Sequence, residues 1–255
     1  MIYVKKGFPS RDIALKIAEI RRSKEWRKIP DDPPEDARER ANYTQRLRDQ
    51  FNLLSKQELR KTLLNEQHYL CAYCMREIGN DETTKIEHWY PLSMKKSAAL
   101  DYHNMLAVCG GKDSQSGRVY NCCDSSKSST VIKLNPQDAA MMNRIQYLSD
   151  GTIKFEECTA YTEEDTKQII HEINEVLLLN EKSSDLVGAR AATYKACQKK
   201  LDRIRMNSAN PVNDVKKLIL QIKGKEVYPQ YVGVMIFYYT RWLKNHNVSI
   251  DMILE

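Results

Sequence analysis

The sequence lacks any long hydrophobic run. No stretch of about 18 consecutive apolar residues occurs in its 255 positions, so no transmembrane helix is predicted. The first six residues, Met1 to Lys6, lack the apolar segment of a secretory signal peptide. Internal repeats and a low-complexity tail are also absent. These absences predict a globular protein in the cytoplasm that has no membrane partner.

The chain has only a slight excess of positive charge. The 40 Lys and Arg residues outnumber the 34 Asp and Glu residues, which gives a net charge of +6. Residues 1–70 hold 16 basic and 11 acidic residues, so most of the excess lies there. Such a balance favours a polyanionic partner, although a solvated helical surface would have the same composition.

Three regions differ in pattern, and together they predict an α+β fold that is mostly helical. Residues 1–66 read as N-terminal helices, residues 67–135 as an irregular core, and residues 136–255 as a hairpin followed by a helical domain. Turn and capping residues predict the elements: a Ser55 cap, a hairpin at Asp150-Gly151, and helices beginning near Thr162, Ser184 and Pro211. An apolar, aromatic stretch at 231–243 predicts a buried last helix.

Five of the seven cysteines lie within 53 positions, and this is the most specific feature of the chain. Cys71 and Cys74 form a Cys-x-x-Cys pair, which can hold two corners of a zinc tetrahedron. Cys109 supplies a third thiolate, and either Cys122 or Cys123 supplies the fourth. Because disulfides are rare in a reducing cytosol, clustered thiols favour a structural zinc site over cross-links.

Residues suited to phosphodiester hydrolysis lie between these cysteines. Glu87 directly precedes His88, so a carboxylate that binds a hard cation adjoins an imidazole that accepts a proton from water. Asn104 can fix a loop and orient the histidine, and Asp124 can provide a second metal ligand beside the zinc site. Lys127 is predicted to contact a phosphate of nucleic acid. Each residue alone is ordinary; their order within the cysteine framework is not.

That order resembles the zinc-bearing form of the HNH, or ββα-metal, endonuclease family. The resemblance implies that Cys71, Cys74, Cys109 and Cys123 bind structural zinc, and that Glu87 and Asp124 bind catalytic Mg²⁺ or Mn²⁺. It also implies that His88 is the general base and Asn104 the central asparagine, which makes His88, Glu87, Asn104 and Asp124 the expected catalytic residues.

The chain departs from the family pattern in two places. Asp124 stands where the family has its final histidine, which keeps a metal ligand but changes its type. The stretch from Cys109 to Cys122 is longer than the usual two-residue gap, and Gly110 to Gly117 looks like an inserted loop. This insertion leaves Cys122 as the alternative to Cys123, which is favoured because Asp124 follows it.

A second resemblance covers most of the chain. Several short motifs resemble the PtuB nuclease subunits of Septu-type and retron-associated anti-phage systems: the first six residues, the Cys-Asp-x-x-Lys ending, Leu177-Leu-Leu-Asn180 with Leu186 and Arg190, and Lys225 to Pro229. This resemblance implies an antiviral role with a PtuA-type ATPase, and in retron-linked members a reverse transcriptase and its RNA–DNA product. DNA is the favoured substrate, with RNA, including tRNA, kept open.

Two other classes of function compete with the nuclease. A zinc-finger module that binds nucleic acid without catalysis, or a scaffold subunit, would need the cysteines but not Glu87, His88 and Asp124. The basic residues of the first helices, from Arg21 to Lys28, could line a nucleic-acid path or dock a partner.

Overall fold

The computed structural model describes residues 1–111, 121–182 and 185–249. About 52% of these residues are helical, and two small two-stranded sheets complete an α+β fold, as predicted. Most of the predicted inserted loop, residues 112–117, and the predicted helix start at Ser184 lie outside the described residues. In the described part of the chain, no helix combines the length and apolar character that crossing a bilayer requires.

The N-terminal region is helical because each helix starts at a polar cap and buries one apolar stripe. Side-chain oxygens of Ser10, Ser23, Asp36 and Ser55 accept the first free backbone N–H groups of α1 to α4 in turn. The Ser55 hydroxyl accepts from the Glu58 N–H at 3.3 Å, as its sequence pattern predicts. The four helices are α1 (Arg11–Arg22), α2 (Lys24–Arg27), α3 (Ala37–Asn52) and α4 (Lys56–Glu66).

The central region has a short antiparallel pair followed by a single helical turn. The strands β1 (Thr84–His88) and β2 (Met105–Cys109) pair in a register that sets Glu87 opposite Leu106 and His88 opposite Met105. Every residue of β2 is buried, which is why this strand is apolar throughout. The helices of this region are α5 (Lys96–Ala99), α6 (Asp124–Lys127) and α7 (Ala139–Met142).

The C-terminal region follows its sequence signals closely. The predicted hairpin is confirmed as β3 (Ile145–Tyr147) and β4 (Ile153–Phe155), and Gly151 at its turn has a φ of +90°. Thr162 and Asp165 form a full capping box, and Asn210 caps the helix that Pro211 opens. The helices are α8 (Glu163–His171), α9 (Leu186–Asn207), α10 (Pro211–Lys223) and α11 (Val232–Lys244).

Buried side chains from all three predicted regions form one hydrophobic cluster. Backbone hydrogen bonds also cross the predicted boundaries: the N–H of Val4 donates to the carbonyl of Pro136 at 2.8 Å, and that of Tyr231 to the carbonyl of Met75 at 3.0 Å. The last helix takes part in this core through one face, while residues 235–238 are half-buried around it. The region boundaries at 66 and 135 therefore fall within a continuous packing network.

Candidate metal centre and active site

A cluster of four buried cysteines joins the central region. The chain turns tightly at Cys71, whose N–H donates to the carbonyl of Arg76 at 2.8 Å while its carbonyl accepts from the N–H of Met75 at 3.0 Å. Met75 takes a positive φ of 62° to make this turn. Cys109 is the last residue of β2, so the strand pair brings the third thiol close to the tight turn that holds Cys71 and Cys74. Cys123 brings the fourth from the start of α6.

The spacing of these thiols suits zinc. The sulfur atoms of Cys71, Cys74, Cys109 and Cys123 all lie within 4.8 Å of one another, with 3.9 Å between Cys71 and Cys123 and 3.7 Å between Cys74 and Cys109. A tetrahedron with Zn–S bonds of about 2.3 Å has edges of about 3.8 Å. These four buried cysteines can therefore hold a structural metal such as zinc.

The arrangement also bears on the two adjacent candidates for the fourth ligand. Cys122 is buried and its thiol interacts with those of Cys109 and Cys123, but it is not one of the four mutually close sulfurs. Cys123 faces the cluster because its backbone takes a φ of 58°, which reverses the chain just before Asp124. The described geometry thus places Cys123, rather than Cys122, in the cluster.

Two carboxyl groups and an ammonium group meet at the end of β1. The Lys127 Nζ lies 2.6 Å from the Glu87 Oε1, and both side chains are almost fully buried. Burial is the main cause that raises the pKa of Glu87 to about 8; a hydrogen bond with Asp124 adds to it, and Lys127 opposes it. Glu87 is buried and Asp124 is half-buried, and carboxyl oxygens are the ligands that a hard cation such as Mg²⁺ or Mn²⁺ prefers.

His88 follows Glu87 and is held as a neutral imidazole. Its Nε2 donates to the carbonyl of Ala99 at 3.1 Å, and the ring of Phe51 meets it edge-on with centroids 4.7 Å apart. Burial, with the nearby Lys56 and Lys127 charges, lowers the pKa of His88 to about 4, although the Ala99 hydrogen bond opposes this shift. When Nε2 carries the proton, Nδ1 is left as the acceptor.

Asn104 fixes the loop that follows His88. Its Oδ1 accepts from the N–H of Tyr90 at 2.7 Å, and its Nδ2 donates to the carbonyls of Tyr90 and Ala98 at 2.8 and 3.0 Å. The N–H of Trp89 donates to the Asn104 carbonyl at 2.9 Å. The buried amide therefore ties both ends of the loop together, which is the loop-fixing role that the sequence predicts for an asparagine here.

Lys127 is buried at the end of α6. Its side chain has the Glu87 carboxyl group as its partner and the His88 carbonyl 3.4 Å away, and its predicted phosphate contact stays a prediction. Because α6 is a single turn that follows directly from the cysteine cluster, its last residue, Lys127, lies in the core. In this arrangement Lys127 pairs with the Glu87 carboxyl group and does not reach the surface.

Several residues that shape the site carry no sequence signal. Gln67 is buried and holds β2 beside the tight turn at Cys71. Its Nε2 donates to the carbonyls of Leu70 and Ala107, and its Oε1 accepts from the Ala107 N–H. Phe51 and the backbone of Ala99 position His88 from distant parts of the chain. A lone glutamine, phenylalanine or alanine has no spacing pattern that would single it out.

Comparison with known proteins leaves the family open. No family model matches the sequence, and no curated protein matches it at a significant level. The HNH and PtuB resemblances thus depend on the short motifs alone.

Proposed function

We propose that this chain is a metal-dependent HNH endonuclease that hydrolyses phosphodiester bonds, with DNA as the favoured substrate. The observation that carries the proposal is the end of β1, where a neutral histidine adjoins the buried carboxyl group of Glu87 and the half-buried one of Asp124. The order of elements also supports it, since β1, β2 and α6 come in the order strand, strand and helix beside the cysteine cluster, with the short helix α5 between the two strands.

The residues divide the work of hydrolysis in this proposal. His88 accepts the proton of the attacking water through Nδ1, because its Nε2 proton is committed to Ala99. Glu87 and Asp124 would hold Mg²⁺ or Mn²⁺, which when bound neutralises the charge that develops on the leaving oxygen. Asn104 keeps His88 in place through the loop that it ties. The four thiols would close the coordination shell of zinc, whose role is therefore structural.

The wider setting that we propose is anti-phage defence, as the effector nuclease of a complex with a PtuA-type ATPase. Its support is the set of short PtuB-like motifs, among which Asn180 and Arg190 meet in the structure: Arg190 donates to Asn180 Oδ1 at 3.3 Å and to the Leu179 carbonyl at 2.7 Å. A reverse transcriptase and its RNA–DNA product would be further partners in a retron-linked system. Co-purification with the neighbouring ATPase tests this setting.

A non-catalytic scaffold or zinc-finger subunit is the second candidate, and one observation favours it. Glu87, His88 and Asn104 are each no more than 7% exposed, and Lys127 is fully buried, as expected for residues that only stabilise a fold. On this hypothesis, substitutions at Glu87 and His88 leave cellular function intact as long as the chain folds.

Cleavage of plasmid DNA and of total cellular RNA decides between the two. Wild type is compared with His88→Ala in Mg²⁺, in Mn²⁺ and in EDTA, and His171→Ala is the control because His171 is exposed on α8. We expect metal-dependent cleavage by wild type and His171→Ala only, with the product identifying the polymer. Equal cleavage by a folded His88→Ala would contradict the proposal, as would inactivity of wild type even together with its co-purified ATPase.

A further inference from the structure

Two surface grooves adjoin along the segment that follows His88. One, of about 490 Å³, lies between α1 and residues 100–103, and the other, of about 310 Å³, lies between residues 89–98 and residues 135–137. They share Asp101 and His103 in their linings, so together they make one path across this face.

The wall that α1 contributes is basic. Arg21, Arg22, Ala14 and Ala18 line the first groove, while the acidic residues of α1, Asp12 and Glu19, are not part of it. Arg22 is exposed, and Arg21 reaches across to donate to the Leu100 carbonyl at 3.1 Å.

The second groove adds a cation and two aromatic rings. Lys95 is exposed at its edge, and Trp89 and Tyr90 are half-buried in its lining. The Trp89 indole is fixed, since its Nε1 donates to the Leu134 carbonyl at 2.9 Å. Basic groups along a groove with aromatic side chains in its lining match the chemistry that proteins use to bind single-stranded nucleic acid.

One carboxylate lines the path, and it is already engaged. Asp101 Oδ1 accepts the N–H of His103 at 3.0 Å, which caps the turn that follows. Charged residues of the two linings are therefore Arg21, Arg22 and Lys95 against Asp101. This excess of positive charge complements a phosphate backbone.

The path also lies next to the proposed catalytic residue. The carbonyl that accepts from His88 belongs to Ala99, and its neighbours Ala98 and Leu100 line the second and first grooves respectively. Asn104 lines the second groove as well and bonds to Ala98. A strand in the path would thus touch the loop that positions His88.

We propose that these two grooves, from Arg22 to Lys95, bind a single strand of DNA or RNA. The inference rests on the proposed nuclease function, because that function gives the grooves their ligand. It assigns a binding path that the catalytic residues themselves do not define. Phosphates would contact Arg22 and Lys95, and bases would stack in the part lined by Trp89 and Tyr90.

Binding is tested by fluorescence anisotropy with labelled 20-nucleotide single strands of DNA and RNA and with the matching DNA duplex. EDTA removes divalent ions that would support cleavage, and the zinc content and folding of each sample are checked in the EDTA buffer. The variant is Arg22→Ala with Lys95→Ala, one substitution in each groove. The matched control is Lys199→Ala with Arg203→Ala, because both residues are exposed on α9 and the same charge is lost.

We expect the groove variant to bind a single strand about tenfold more weakly than wild type near 0.1 M salt. The slope of log K against log salt should become shallower by about 1.5, since two phosphate contacts are lost. The control should bind as wild type does. The DNA and RNA arms show which polymer the path takes.

Three results would overturn the inference: equal binding by the groove variant and the control, preference for the duplex over both single strands, or no binding by folded wild type. The cleavage assay tests the nuclease proposal separately from the binding assay. If the groove substitutions leave cleavage unaffected, the nuclease proposal stands and the groove proposal falls. If binding depends on the groove but no cleavage occurs, the groove proposal stands and the nuclease proposal falls.

Discussion

At the scale of single residues, His88 makes a testable link between burial and pH. Its pKa lies near 4 in the folded chain because burial disfavours the imidazolium, whereas an unfolded histidine titrates near 6.5. The unfolded state therefore binds a proton first as the pH falls. Stability from this residue is complete above about pH 6.5 and is lost as the pH falls from 6.5 toward 4.

His88→Asn should remove this pH dependence. The free energy of unfolding of wild type should fall by about 2 kcal/mol more than that of the variant between pH 7 and pH 5, from a slope of about 1.4 kcal/mol per pH unit below 6.5. Urea denaturation at pH 7, 6 and 5 measures the difference, in which other titrating groups cancel. Parallel stability curves would mean that His88 is readily protonated in the folded chain.

The two adjacent cysteines allow an equally local test. We expect Cys123→Ser to lose zinc and stability, because Cys123 belongs to the close set of four sulfurs, while Cys122→Ser keeps one zinc per chain. Cys158→Ser is the control, since Cys158 lies apart from the cluster. Zinc content by mass spectrometry and thermal melting give the readouts. Retention of zinc by Cys123→Ser and its loss from Cys122→Ser would reverse the assignment.

Among the structural elements, those with strong local signals were predicted well. The capping box at Thr162, the Asn210-Pro211 helix start and the Asp150-Gly151 hairpin all depend on neighbours within a few residues, and all are confirmed. The cysteine cluster was predictable for a similar reason, since ligand spacing survives in the sequence. The catalytic roles of Glu87, His88, Asn104 and Asp124 stay predictions.

Features that depend on distant contacts were not predictable. Lys127 looks like a surface lysine in the sequence, and only the packing of α6 against β1 makes it a buried partner of Glu87. Phe51 and Ala99, which contact His88, likewise lie 37 and 11 positions away from it in the sequence, respectively. No periodicity records such pairings, because any apolar residue or backbone carbonyl could make them.

The hairpin and α9 offer a matched pair of glycines. A Cβ at Gly151 would overlap the Val187 carbonyl and lie 2.8 Å from the Ala191 nitrogen, and its φ of +90° is one that L residues rarely adopt. Gly151→Ala should therefore lower the free energy of unfolding by about 2 kcal/mol or more. Gly188→Ala, where a Cβ meets nothing within 4 Å, should raise it by up to about 1 kcal/mol.

Urea denaturation of both glycine variants beside wild type measures these opposite changes. The sign of the change is diagnostic, because the same chemical change is made in the turn that docks on α9 and within α9 itself. Comparable effects at the two positions would contradict the close contact between the hairpin and α9. The Arg190 Nε, which donates to the Gly151 carbonyl at 2.6 Å, would then also lack its partner.

At the scale of the whole molecule, the core that the described residues share predicts cooperative unfolding. Trp26 lies in α2, Trp89 beside the proposed active site and Trp242 in α11, and all three contact the same hydrophobic cluster. Because buried residues of the three predicted regions pack continuously, we expect one transition in place of three. The zinc cluster should be part of that transition, since its cysteines belong to the core.

Three single-tryptophan variants, each with the other two tryptophans changed to Phe, test this expectation. In each zinc-loaded variant, the midpoint of tryptophan fluorescence in urea should coincide with the midpoint of far-ultraviolet circular dichroism. Comparison within a variant cancels the stability lost through the substitutions themselves. A Trp89 transition apart from the circular dichroism midpoint would show that the metal core unfolds as its own unit, and the boundaries predicted at 66 and 135 would then mark separate domains.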